Sequence, residues 1–148
     1  MPGLHALVVH RIGAWRRRQP APVRIPVGLV YWVLKTLIRN LYGTEIYDTT
    51  VIGRRVKIGH HQGVVLGSSA VIGDDVLIRQ NVTLGQGAGD DTGQPRIGNG
   101  VTLGPGAVIT GAVTIGDGAR IGPGAIVVTD VPAGAIAFAS PARILKPS

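Results

Sequence analysis

An aliphatic residue returns every six positions over most of this chain. From Ile97 the units IGNGVT, LGPGAV, ITGAVT, IGDGAR and IGPGAI place Ile97, Leu103, Ile109, Ile115, Ile121 and Val127 six apart, and the same phase marks Leu66, Ile72, Ile78 and Leu84, then Ile52 and Ile58. A period of six fits neither the 3.6-residue turn of a helix nor the simple alternation of a half-buried strand. It suits a β-solenoid in which each hexapeptide is one short strand plus a turn and three hexapeptides close a triangular coil. Each aliphatic side chain then points inward and stacks on the one eighteen residues later, about 4.8 Å along the axis. The 23 glycines and 10 prolines of the 148 residues supply the turns, and the wealth of Ile, Val, Leu and Ala excludes collagen and simple disorder. The expected fold is therefore mainly β, a parallel β-helix with one aliphatic core.

Aromatic residues make up only 4% of the chain and there is no Cys, so disulfide scaffolds, thiolate metal sites and cysteine nucleophiles are excluded. The charge is unevenly placed. Residues 1–44 hold Arg11, Arg16, Arg17, Arg18, Arg24, Lys35 and Arg39 with no Asp or Glu, which accounts for the whole formal net charge of +7; the remainder of the chain is balanced. This basic arm reads as two helices. Leu4, Leu7, Val8, Ile12 and Trp15 recur at helical spacing behind Pro2, and Leu29, Val33, Leu37, Ile38 and Leu41 do so before Gly43. Arg16 to Ile25, with Pro20, Pro22 and a following Pro26, is the expected link. Trp15 and Trp32 read as packing residues. The expected organisation is a helical arm over 1–44, a solenoid over 45–135 and a tail over 136–148.

The arm permits peripheral contact with a membrane surface. It lacks the interleaved aromatic and basic pattern of a nucleic-acid platform, and no nucleic-acid partner is expected. The longest apolar run, Val27 to Leu34, is short for a membrane span, and the arginine cluster follows the first apolar stretch instead of preceding it as in a signal peptide, so a cytoplasmic location is expected.

The period breaks twice. Ile58 and Leu66 are eight apart, with Gly59, His60, His61 and Gln62 in the surplus. Between Leu84 and Leu103 the segment 85–96, GQGAGDDTGQPR, is too long for one turn and must leave the coil as a loop. Loops extruded from a rigid scaffold are where sites are built, and the two breaks are expected to border one cleft. If the backbone at the first break is extended, one of His60 and His61 faces the cleft and the other is structural. No third or fourth ligand accompanies them, so no metal is expected. Glu45 lies fifteen residues before His60, one eighteen-residue coil away and three positions sideways, where a carboxylate can orient an imidazole; Asp48 is the alternative.

Two stretches, PGLHALVVHRIGAW at Pro2 to Trp15 and GHHQGVVLGSSAVIGDDVLIRQNVTLG at Gly59 to Gly85, resemble serine O-acetyltransferases, hexapeptide-repeat acyltransferases whose solenoid is left-handed. The segments GTEI and IGRRVKIGHH resemble the related colanic-acid-type polysaccharide acetyltransferases, and SPARILKP extends the likeness almost to the end. The resemblance puts the catalytic base on His60 and its carboxylate partner on Glu45, and implies direct acetyl transfer from acetyl-CoA within a homotrimer. It also implies an oxyanion donor near Gly85 and acceptor contacts at His61 and Gln94. The CoA arm is expected along the turns with Pro105, Gly106 and Pro123, with Arg120, Arg143 and Lys146 as phosphate partners. Two positions depart from serine acetyltransferases: Gly59 replaces an Asp and Gln94 replaces a His. A sugar or exopolysaccharide precursor is therefore the alternative acceptor, and a non-catalytic solenoid module is the alternative of another class.

Overall fold

The computed structural model describes residues 2–88 and 92–141. Among these, fourteen short strands, β1–β14 in chain order, form three parallel sheets in which every third strand is hydrogen-bonded to the next. The first face holds β1 (Glu45–Ile46), β4 (Val65–Leu66), β7 (Thr83–Gly85), β10 (Val108–Thr110) and β13 (Ile126–Val127). The second holds β2 (Val51–Ile52), β5 (Val71–Ile72), β8 (Arg96–Ile97) and β11 (Thr114–Ile115). The third holds β3 (Lys57–Ile58), β6 (Leu77–Ile78), β9 (Thr102–Leu103), β12 (Arg120–Ile121) and β14 (Ile136–Ala137), so the strands run two residues past the expected limit at 135.

The register explains the six-residue rhythm. On the first face Ile46, Leu66, Leu84, Ile109 and Val127 stack in one column; Ile52, Ile72, Ile97 and Ile115 do so on the second, and Ile58, Ile78, Leu103 and Ile121 on the third. Leu66, Leu84, Ile109 and Ile115 are fully buried, as are Val64, Val82 and Val101 from the turns. The interior is thus filled by aliphatic side chains, whose removal from water is the main force holding so short a set of strands.

A regular circuit takes eighteen residues, as from Leu66 to Leu84; the circuit from Ile46 to Leu66 takes twenty and that from Leu84 to Ile109 twenty-five. Both anomalies of the repeat are therefore insertions that leave the inward columns in register.

The arm forms two helices, α1 (Pro2–Arg16) and α2 (Ala21–Tyr42). The link between them is shorter than expected. Pro22 occupies the first turn of α2, where its missing N–H costs nothing, and Pro26 lies inside the helix, so only residues 17–20 connect the two. Gly43 ends α2 in the left-handed conformation (φ 61°), its N–H donating to the Arg39 carbonyl at 3.0 Å. Gly3 lets α1 approach the Ile58 backbone on the third face, where a Cβ would collide with the carbonyl. Tyr31 is the buried residue of α2 and lies against Gly13 of α1.

Two expectations for the arm fail. Trp15 and Trp32 are exposed within the protomer instead of packed, Trp15 at the rim of the groove between α1 and residues 52–56. The helix containing Val27 to Leu34 continues through both prolines to 22 residues, and by length and composition alone it reaches what a membrane span requires.

Candidate active site

The two surplus residues of the twenty-residue circuit fall at the edge between the third and first faces. The repeat already places a left-handed residue in each turn of this edge: Gly63, Asn81, Gly106 and Gly124, with φ of 71°, 57°, 70° and 66°. His60 adds another, at φ 59°. A β-carbon in that region costs on the order of 1 kcal/mol, and the regular coil does not require it here. The backbone is not extended, so the expected opposition of the two imidazoles is corrected: His60 and His61 line the same cleft.

His60 is exposed, whereas His61 is half-buried with Tyr42 edge-on at 5.2 Å between ring centroids. Tyr42 is in turn hydrogen-bonded to His5 at 3.3 Å. Thr44, itself buried, donates its hydroxyl to the His61 carbonyl at 2.6 Å, and the Gly63 N–H donates to the Gly43 carbonyl at 2.9 Å. The insertion is therefore held from below by the end of the helical arm.

Two clefts meet at the pair. A polar one of about 530 Å³ is lined by His60, His61, Gln62, Gln80 and Asn81. An apolar one of about 580 Å³ lies under α1 and includes Leu4, Leu7, Val56, Ile58 and Leu77 beside both histidines. Gln80 and Asn81 escaped notice in the sequence, although a signal existed: they follow Gln62 and Gly63, the end of the histidine insertion, by eighteen residues, one regular circuit. Gln80 buries a side-chain carbonyl oxygen that finds no partner among the described residues.

Along the same edge the turns stack without interruption. The N–H groups of Asn81, Gly106 and Gly124 donate to Gln62, Gln80 and Pro105 in the preceding circuit, each at 2.9 Å. Pro105, Gly106 and Pro123 therefore continue the line that starts at His60. A Cβ on Gly124 would meet nothing within 4 Å, so this ledge is open. Arg120, exposed on the adjacent third face, lies beside it.

Other expected members are not brought together. Glu45 is stacked on Val65, not three positions from His60, because the circuit between them has twenty residues instead of eighteen. No hydrogen bond or ion pair joins Glu45 to His60 among the described residues of one protomer. Asp48, the alternative carboxylate, instead pairs with Arg16 at 3.2 Å. Gly85 ends β7 at the far side of the first face, and Gln94 packs over Gly67 at the edge between the first and second faces. The two breaks of the repeat thus sit on different edges and do not border one cleft within a single chain. Residues 89–91 of the loop, and Arg143 and Lys146, lie outside the described residues.

Comparison with known proteins agrees with this architecture. The model for the bacterial transferase hexapeptide family (six repeats) matches residues 94–129. A serine acetyltransferase of Helicobacter pylori is 39% identical over 147 residues, covering 97% of this chain and 81% of that protein. One from Synechococcus elongatus is 41% identical over 114 residues, 76% of this chain but 44% of its own length, so the chain spans less than half of that relative. The crystal structure of a Brucella abortus serine acetyltransferase in complex with coenzyme A superposes with a TM-score of 0.82 at 30% identity, over 97% of this chain and 56% of that one.

Proposed function

Since the chain belongs to the serine acetyltransferase family, we propose that it transfers the acetyl group of acetyl-CoA to a hydroxyl of a small acceptor, with His60 as general base. The observation that carries this reading is the placement of His60: an exposed imidazole in a left-handed insertion, at the head of an open ledge of Gly and Pro turns.

In this scheme the acceptor hydroxyl enters the polar cleft, where the exposed Gln62 and Asn81 amides offer hydrogen bonds. His60 removes the hydroxyl proton as the oxygen attacks the thioester carbonyl. The tetrahedral oxyanion needs an N–H donor, for which the Gly85 backbone is our candidate. Collapse breaks the carbon–sulfur bond, and the imidazolium returns its proton to the departing thiolate, so no covalent enzyme intermediate is formed. The CoA arm follows Pro105, Gly106 and Pro123, with Arg120, Arg143 and Lys146 as phosphate partners.

Gly85 and Gln94 lie away from His60 within one chain, which favours a homotrimer with sites between protomers as the arrangement that would bring them to it. Glu45 is retained as the orienting carboxylate for a His60 side chain turned inward on binding. The solenoid is taken as left-handed, the hand of the family, against the general right-handed preference of parallel crossovers. The cytoplasm, where acetyl-CoA is available, is the proposed location.

Serine is the first acceptor to test, because it gives the relatives their name. A neutral sugar hydroxyl is the second reading, favoured by a cleft wall of amides, Gln62, Gln80 and Asn81, with no carboxylate among its described lining residues to pair with an ammonium group. Thiol release from acetyl-CoA, measured against serine, homoserine and nucleotide sugars, decides between them. Release with none of these would favour the non-catalytic solenoid.

A further inference from the structure

The arm carries a surface that the catalytic proposal does not use. In α2, Ile25, Leu29, Trp32, Val33, Leu37 and Leu41 recur at three- and four-residue intervals and project from one side of the helix. They are exposed, Ile25 by 71%, Leu29 by 67%, Trp32 by 64% and Leu41 by 72%. Arg39, seven residues after Trp32 and fourteen after Ile25, stands at the edge of that side and is exposed. Of the other two cations of the helix, Arg24 is exposed in the first turn, and Lys35 faces the folded body, 4.6 Å over the Tyr47 ring. The α1–α2 turn adds Arg17 and Arg18, both exposed.

We propose that α2 is an interfacial helix that seats this protein on an anionic phospholipid surface, with Leu29 and Trp32 at the centre of the buried face and the arginines of the helical turn against lipid phosphates. Charge selects this occupant. The arm holds seven cations and no acid, so pairing the same face from two copies brings like charges together, whereas an anionic bilayer takes both the apolar face and the exposed arginines at its edge and at the helical turn, Arg39, Arg24 and Arg18. The helix lies on the membrane and does not cross it. Gly28 lies against Arg16, Tyr31 is buried against Gly13 of α1, Lys35 sits over Tyr47 and Ile38 packs on the core, so α2 is held to the folded body along its length.

Flotation of the full chain with phosphatidylcholine vesicles, with and without phosphatidylglycerol, tests this. Binding is expected only to the anionic vesicles. It should weaken about 5-fold for each of Arg18→Ala and Arg24→Ala, and by at least about 10-fold in the double variant Leu29→Glu, Trp32→Glu. Trp32 fluorescence in a Trp15→Phe background should shift to the blue on adding those vesicles, a readout that needs no destabilising change. Absence of binding, binding indifferent to the double variant, or an unshifted Trp32 spectrum would overturn the proposal. So would dissociation of the native oligomer by the double variant, which would make this face a subunit contact.

Discussion

The Thr44 hydroxyl donates to the carbonyl of His61 across 2.6 Å, tying the inserted histidine corner to the residue beside Glu45. Thr44 is buried, so replacing it with the near-isosteric Val strands the carbonyl at a cost of about 1 kcal/mol while leaving the volume unchanged. Thr44→Val is expected to fold, with kcat reduced roughly 10-fold through misplacement of the corner. Steady-state kinetics beside a thermal melt checks this. Unaltered kcat would show that the corner holds its shape without the bond.

Leu84 is wholly buried between Leu66 and Ile109 in the first-face column. Leu84→Ala removes its methyl groups from a stack with little room to relax, and should cost about 2 to 5 kcal/mol. Denaturant unfolding gives the number. A loss below about 1 kcal/mol would mean that the column closes over the gap.

His10 is buried on α1, donates its Nδ1–H to the Tyr47 carbonyl at 3.1 Å, and has its pKa lowered, chiefly by burial. A folded-state value below the ordinary 6.5 means that the unfolded chain binds more protons as the pH drops. Stability should therefore fall from about pH 6.5 downward, and the fall should be shallower in His10→Gln, which keeps a donor but does not titrate in this range. Melts of both proteins between neutral and mildly acidic pH test the sign. Parallel curves would remove His10 from the acid response.

Much of this was readable in the chain itself. The columns through Leu66, Leu84 and Ile109 follow from six-residue spacing alone, because only inward-pointing residues must be aliphatic. The start of α2 is misjudged because Pro22 and Pro26 look like breakers, yet Pro22 falls in the first turn, which needs no N–H there, and Pro26 is carried inside the helix. The place of Glu45 was missed for a different reason. Counting in eighteens fails across the very insertion that creates the site, and the left-handed φ of His60 cannot be read from a residue type that usually avoids it. The separation of Gln94 from His60 depends on which edge each turn occupies, a property of the closed coil and not of any local motif.

His60→Asn tests the central claim most directly. Asn tolerates the left-handed backbone but cannot take up a proton, so the variant should melt like the wild type while acceptor-dependent thiol release from acetyl-CoA falls by about 10²- to 10⁴-fold. Release at the wild-type rate from a folded His60→Asn protein would contradict the account.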